Sequence, residues 1–179
     1  YHDMGLIGAC LGSLYYAFPL VVMSPLSFLA RPSRWLRAIH RHHGTLSAAP
    51  NFAFELCVRA IQDHELEGLD LSSWRMALNG AEPVSPATLE RFIARFAPYG
   101  FRRETMAPVY GLAECSVGLA LQPPNRGPVI DRVQRDAFMI HGRAELASRD
   151  NTAILQFPSC GQPIPGHPQK LNGIRKSLP

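Results

Sequence analysis

This sequence has no run that is both long and apolar enough to cross a bilayer. The longest apolar stretch, Leu14 to Met23, is about ten residues and is interrupted by Pro19. A spanning helix needs about 20 such residues, so no transmembrane segment is expected. The start, Tyr1-His2-Asp3-Met4-Gly5, has neither an initiator methionine nor a charged leader ahead of its apolar stretch. No secretory signal is read there, and the chain looks entered in mid-domain, which makes a cytoplasmic location the expectation. Cysteine is scarce: Cys10, Cys57, Cys115 and Cys160 lie far apart, with no C-x-x-C pair. That spacing excludes the usual zinc and dithiol patterns and leaves reduced, individually placed thiols. Also missing are G-x-x-x-x-G-K-S/T, a G-x-G-x-x-G after a strand, H-E-x-x-H and G-x-S-x-G. Neither of the common nucleotide-binding loops, nor a zinc protease or serine hydrolase site, is supported.

What is present is enough for a core: 179 residues, 46% of them hydrophobic, suit one domain. Lysine and arginine number 18 against 14 acidic residues, a net charge of +4. The positive residues are dispersed, so no nucleic-acid partner is expected. The densest basic stretch, Arg31 to His43, interleaves Arg31, Arg34, Arg37 and Arg41 with apolar Trp35, Leu36 and Ile39 at helical spacing. It reads as the solvated face of an amphipathic helix, with an anion or membrane-surface patch as the other reading. His40, His42 and His43 lack a spaced carboxylate and read as a polar edge, not a metal cluster.

Hydrophobic spacing and breakers divide the chain further. A helix is predicted from about Leu6 to Tyr16, then a short buried strand around Leu20 to Met23. Pro32 starts a helix running to about His42, which Gly44 stops. Thr45 to Ala48 is the next strand, and Pro50 forces a turn into a helix from Phe52 to about Gln62 that buries Phe52, Leu56 and Ala60. Leu71 to Leu78 alternates as a strand and runs into Asn79-Gly80-Ala81-Glu82-Pro83. Ser85 caps the clearest helix, with Pro86 in its first turn and Leu89, Phe92, Ile93 and Phe96 as one apolar stripe. Met106 to Tyr110 is a further strand. This order predicts an α/β layer with a mostly parallel sheet flanked by helices. After Pro123-Pro124 the periodicity weakens, and residues 125–157 read as an accessory hairpin or excursion with short strands at Val129-Ile130 and Ile154 to Phe157. Pro168 to Pro179 reads as a loose end.

Three motifs each end or follow an apolar stretch, where open α/β sheets collect their ligands. In Tyr1-His2-Asp3-Met4-Gly5, a histidine beside a carboxylate offers proton transfer or orientation, and an ordinary loop histidine explains the same residues. In Asn79-Gly80-Ala81-Glu82-Pro83, small residues admit a flat ring against the main chain, and a turn before a helix is the plainer reading. In Tyr110-Gly111-Leu112-Ala113-Glu114, Tyr110 offers a stacking face and Glu114 an oxygen ligand for magnesium. A buried aromatic and a surface glutamate explain those letters too.

These motifs, in this order, closely resemble the fatty-acyl-AMP ligases of the acyl-adenylate-forming superfamily. The resemblance covers roughly Tyr1 to His167. It is carried by Tyr1-His2-Asp3-Met4-Gly5-Leu6-Ile7-Gly8, Ser24-Pro25-Leu26-Ser27-Phe28, Ala49-Pro50-Asn51-Phe52-Ala53-Phe54-Glu55-Leu56-Cys57, Asn79-Gly80-Ala81-Glu82-Pro83-Val84 and Tyr110-Gly111-Leu112-Ala113-Glu114. It implies part of the large N-terminal, AMP-binding domain of an AMP-dependent synthetase/ligase over residues 1–167, followed by a divergent tail at 168–179. The implied activity attacks the α-phosphorus of ATP with a fatty-acid carboxylate, with Mg²⁺ present, giving acyl-AMP and pyrophosphate. The acyl group then passes to an acyl carrier protein or a polyketide synthase carrier domain.

By the same resemblance, His2 matches the histidine at the junction of acyl group and phosphate, with Gly5 beside it on the substrate side. Asn79, Gly80, Ala81 and Glu82 match the strip against adenine, Tyr110 with Gly111 the stacking aromatic, and Glu114 the magnesium-associated glutamate. Asn51 and Phe52 look like parts of the acyl tunnel. Ala113 replaces the superfamily's more usual threonine, as the fatty-acyl-AMP branch often does, and about 129–157 looks like that branch's insertion. The family's phosphate loop, ribose-binding aspartate and lysine-bearing C-terminal domain have no counterpart here. The tail from Pro168 departs from the family's expected strand, which implies truncation or a shifted frame. Little activity is therefore expected of the chain alone. A fatty-acyl-CoA ligase or a non-catalytic remnant are the competing readings.

Overall fold

The structure, a computed structural model, describes residues 3–148 and 150–166. His2 and the tail from Pro168 lie outside the described residues. The chain enters as a wide-turn π-helix, Met4–Leu11, that continues as helix α1, Gly12–Tyr16, and ends where Ala17 turns left-handed (φ 54°). The strand expected at Leu20–Met23 is not there: the segment has no regular structure, and Val22 is 78% exposed. A run of four apolar residues does not by itself distinguish a strand from a loop, and no neighbouring strand pairs with it. Helix α2, Pro25–Ala30, follows with proline in its first turn. Leu14, Tyr15, Tyr16 and Leu26 are all exposed by more than 70%, so this stretch lays an apolar surface open to solvent. No helix among the described residues is long and apolar enough to cross a membrane.

From Pro32 onward the chain packs. Helix α3, Ser33–His42, buries Leu36 and Ile39 and ends at a left-handed His43. It leads to strand β1, Leu46–Ala49, and helix α4, Asn51–Ala60. Strand β2, Met76–Asn79, helix α5, Pro86–Phe96, and strand β3, Met106–Pro108, complete the layer. Helix α5 forms as its sequence requires: the Ser85 hydroxyl accepts the Thr88 N–H, Pro86 occupies the first turn, and Leu89, Phe92, Ile93 and Phe96 are buried. Helix α4 turns a different face inward than expected, burying Ala53, Phe54 and Cys57 while Phe52 is half exposed. Residues 52–58 are apolar on nearly every side, so the periodicity does not fix the rotation. The partners on α5 do.

Aromatic rings fill the space between helices and sheet. Trp74 meets Trp35 and Phe101 edge-on at 5.3 Å, and Phe92 meets Phe54 at 5.1 Å and Phe101 at 5.0 Å. Such edge-to-face pairs each contribute about 0.5–1.5 kcal/mol beyond burial. The indole N–H of Trp74 donates to the Met76 carbonyl, which lets so large a group be fully buried without an orphaned donor.

Strands β1, β2 and β3 pair in parallel with β2 central, Ala49 facing Asn79 and Asn79 facing Pro108. The mostly parallel sheet expected of the whole chain does not extend further. Strand β4, Ala120–Leu121, strand β5, Ile130–Gln134, strand β6, Ile154–Pro158, and strand β7, Gln162–Pro163, make two separate two-stranded sheets, β4–β7 and β5–β6, and both are antiparallel. Parallel pairing needs a crossover that carries the chain back along the strand. Between β5 and β6 the only helix among the described residues is α6, Arg135–His141. At about 1.5 Å per residue it spans roughly 10 Å, less than the roughly 16 Å that five strand residues cover. The chain instead doubles back, and β6 enters in the opposite sense.

Polar ties fasten α3 to the segment before β2. The Glu65 carboxylate accepts from the Ser33 hydroxyl and the Arg31 guanidinium, each at 2.7 Å, and from the Gln62 N–H at 3.1 Å. The Ser33 bond, then those from Arg31 and Gln62, pull its pKa down to about 2. A carboxylate depressed on folding stabilises the fold fully above its unfolded pKa, and that contribution disappears as pH falls through the folded value. Urea midpoints of the 179-residue chain are thus expected to drop between about pH 4.5 and 2. Glu65→Gln should be less stable at pH 7 and lose part of that acid dependence. Parallel midpoint-against-pH curves for the two proteins would refute the assignment.

Candidate functional site

Because β1, β2 and β3 run the same way, the segments leaving their C-terminal ends emerge along one edge. Asn51 and Phe52 follow β1, Gly80 to Glu82 follow β2, and Tyr110 and Gly111 follow β3. In open α/β sheets that edge is where ligands gather. The structure thus brings together most of the predicted site residues, which are separated by up to 60 positions in the sequence.

Gly80 has a steric reason to be glycine. A Cβ there would lie 2.8 Å from Val109 Cγ2 and 3.0 Å from the Val109 carbonyl oxygen, so the β2 and β3 exits run side by side in contact. The Val109 N–H donates to the Asn79 carbonyl at 2.9 Å, holding that approach. Ala81 is left-handed at φ 68°, which costs an L-residue about 1–2 kcal/mol and turns the strip outward. Asn79 is fully buried. Its side-chain N–H donates to Asn51 Oδ1 at 3.3 Å, while its own Oδ1 has no protein partner.

Tyr110 is 52% exposed, and its backbone is locked by an antiparallel bridge to Ala120. Gly111 starts the loop between them. A Cβ on Gly111 would fall 1.7 Å from the Val117 carbonyl oxygen, so only glycine closes this loop. Glu114 sits exposed on the 3-10 turn Ala113–Cys115, and the loop returns through Ser116 (φ 56°) and Val117 (φ 96°). A β-branched residue at positive φ is strained backbone. The strain is borne at the turn between the aromatic and its bridge partner.

Other residues stand apart. Gly5 lies on the exposed wide-turn helix, where an added side chain would meet open space. His2 lies outside the described residues. Two open surface hollows, of about 500 Å³ beside Arg59 and Arg95 and about 300 Å³ beside Arg31 and Glu65, include none of the predicted residues. No group of three or more histidine, cysteine or acidic residues could hold a metal among the described residues. Two residues acquire roles that spacing did not disclose: Asn51 Oδ1 accepts the Ser85 N–H at 3.1 Å, and Glu82 Oε1 accepts the Phe52 N–H at 2.5 Å. Thirty or more positions separate each pair, so only the parallel register could have suggested them.

Known proteins resemble this chain over nearly its whole length. The family model described as AMP-binding enzyme matches residues 1–171. A medium-chain-fatty-acid–acyl-carrier-protein ligase of Moorena producens is 40% identical over 167 residues, 93% of this chain and 28% of the relative. A 4-hydroxyphenylalkanoate adenylyltransferase of Mycobacterium marinum is 45% identical over 158 residues, 83% of this chain and 25% of the relative. The crystal structure of a fatty acid AMP ligase from Legionella pneumophila superposes with a TM-score of 0.86 at 40% identity, covering 90% of this chain and 28% of that one. The chain thus spans about a quarter of the length of the curated relatives it matches.

The tight loop behind Tyr110 generates a stability test. Gly111→Ala is expected to destabilise the chain by roughly 1–3 kcal/mol through forced displacement of the 112–118 loop. Gly8→Ala, on an exposed helical position with open space, should be neutral or slightly stabilising, by up to about 1 kcal/mol. Equal urea midpoints for wild type and Gly111→Ala would show that the loop is not closed as described.

Proposed function

The chain belongs to the AMP-binding enzyme family, on its fatty-acyl-AMP ligase branch, and on that premise we propose that it forms the acyl- and adenine-facing part of a ligase that activates a fatty acid with ATP. The single observation that carries this reading is the convergence of the β1, β2 and β3 exits at one sheet edge. On this reading residues 1–167 are part of the AMP-binding domain, residues of about 129–157 are the branch's insertion, and 168–179 are a divergent tail.

Adenine lies flat on Gly80 and Ala81, where the missing or small side chains admit it, with Asn79 and Glu82 flanking the strip. Tyr110 stacks on the ring's other face, its exposed position set by Gly111 and the Ala120 bridge. Asn51 and Phe52 line the entry of the acyl chain. The fatty-acid carboxylate attacks the α-phosphorus of ATP, a new acyl–phosphate bond forms, and pyrophosphate leaves with the electrons of the broken bond. Holding the two reactants in line is the main contribution such positioning groups make. His2 and Gly5 stand at the acyl–phosphate junction in this reading. Glu114 is a single exposed carboxylate, which suits Mg²⁺ because that ion keeps several waters and phosphate oxygens as ligands. When bound, Mg²⁺ supplies positive charge to the phosphate oxygens. The acyl group then passes to the phosphopantetheine thiol of an acyl carrier protein or polyketide synthase carrier domain, in a cytoplasmic setting.

A second substrate class has one observation in its favour: the Mycobacterium marinum relative, whose name specifies 4-hydroxyphenylalkanoates, is 45% identical. Both readings use the same adenine strip and differ only in the acyl group.

The test is ATP–pyrophosphate exchange by the protein read with its flanking coding sequence, across fatty acids of graded length and a 4-hydroxyphenylalkanoate. Exchange that depends on a fatty acid, with acyl-AMP accumulating even when CoA is present, is expected. Efficient acyl-CoA formation would move the assignment to a CoA ligase, and absence of exchange with every acid would end it. Tyr110→Ala should raise the KM for ATP roughly 5- to 100-fold, the loss of one base–aromatic stack, with little change in KM for the acid.

A further inference from the structure

Within the Asn79–Pro83 strip, Glu82 binds the first turn of another element. Its Oε1 accepts the Phe52 N–H at 2.5 Å, across 30 residues of sequence. The first N–H groups of a helix have no partner inside it, and a carboxylate is favoured there by the helix dipole. Pro50, at the cap position of α4, supplies no side-chain acceptor of its own. The cap therefore comes from the strip.

A second tie runs beside the first. Asn51 Oδ1 accepts from both Asn79 Nδ2 and the Ser85 N–H, at 3.3 and 3.1 Å. Ser85 can only donate through that N–H, so the Asn51 oxygen must face it, and Asn79 must then present its amide nitrogen. Asn51 and Phe52, the first two residues of α4, are thus held from both ends of the 79–85 loop. Between those ends lies Ala81 at φ 68°, the strained residue whose position decides where Glu82 points. Phe52 is 50% exposed.

We infer that Glu82 is a positioning residue that couples the acyl-facing first turn of α4 to the adenine-facing strip, so that a ligand filling one half of the site tightens the other. The inference rests on the reading given under Proposed function. An adenine on Gly80 and Ala81 fixes the backbone beneath Glu82, and the carboxylate carries that constraint to the Phe52 N–H. An acyl chain against Phe52 fixes the same bond from the other side. Coupling of this kind is reciprocal and amounts typically to about 5- to 150-fold in affinity.

Calorimetry on the whole 179-residue chain tests this with two probes, AMP and a non-hydrolysable acyl-sulfamate analogue of acyl-AMP. Glu82→Ala is expected to weaken the acyl-sulfamate about tenfold more than it weakens AMP. Glu82→Gln, which keeps an oxygen acceptor, should restore most of the loss, and Glu82→Ser gives a second truncation. A ratio of the two affinities that stays at the wild-type value, or an equal weakening of both ligands, overturns the coupling role. If neither truncation folds, Glu82 is a stability residue and the inference also fails. If wild type binds neither probe, the acyl- and adenine-facing site proposed above is not assembled in this chain and the coupling falls with it, which separates that outcome from the others.

Discussion

Strand β2 pairs with a parallel neighbour on each side, and that pairing places every other feature of the site. Met76 to Asn79 align with Leu46 to Ala49 on one side, and Ala77 to Asn79 with Met106 to Pro108 on the other. Three segments far apart in sequence therefore leave the sheet at one level. The pairing is held from beneath by Trp74, Phe92 and Phe101, whose edge-on contacts cement α5 and the strand ends into one core. It is also why Gly80 must be glycine, since the β3 exit passes within van der Waals contact of it. The rigidity of the sheet edge is inherited by the loops that carry the chemistry, as functional loops on a fixed scaffold require.

Above that edge, polar bonds do what apolar packing cannot, because they fix direction. Asn51, Asn79, Ser85 and Glu82 link the beginning of α4 to the loop after β2. On the outer face of the same helices, Glu55 accepts from Arg91 at 2.6 Å and from the Thr88 hydroxyl at 2.9 Å, joining α4 to α5. The Arg91 hydrogen bond, with the Thr88 bond assisting against partial desolvation, holds the Glu55 carboxyl below its ordinary range. Helix α4 is thereby clamped at its start by the strip and along its length by α5. Its rotation follows from those two constraints.

Much of this was legible in the sequence, and the reasons differ by element. Helix α5 was fully readable because Ser85, Pro86 and one apolar stripe agree locally on the same answer. The turns that follow β2 and β3 were readable because Gly80 and Gly111 there have steric causes, while Gly5 in the first motif meets open space and has none. The buried face of α4 was not, since a helix apolar on nearly every side leaves its orientation to neighbours distant in sequence. The mostly parallel sheet rests on the strand–helix alternation up to β3, and it ends there: after Pro123-Pro124, where that alternation stops and the sequence reads as a hairpin or excursion, the strands pair antiparallel. The run at Leu20–Met23 was apolar enough for a strand, but no strand lies beside it.

The open face formed by Leu14, Tyr15, Tyr16, Val22 and Leu26 bears on how such a chain fares in a cell. Holdase chaperones and quality-control proteases read sticky, uncovered side chains, whatever the merit of the core behind them. Synthesised on its own, this polypeptide carries a well-knit centre together with a tag of the kind that marks immature proteins. Its lifetime then depends on how soon that tag is shielded as well as on the firmness of the aromatic centre.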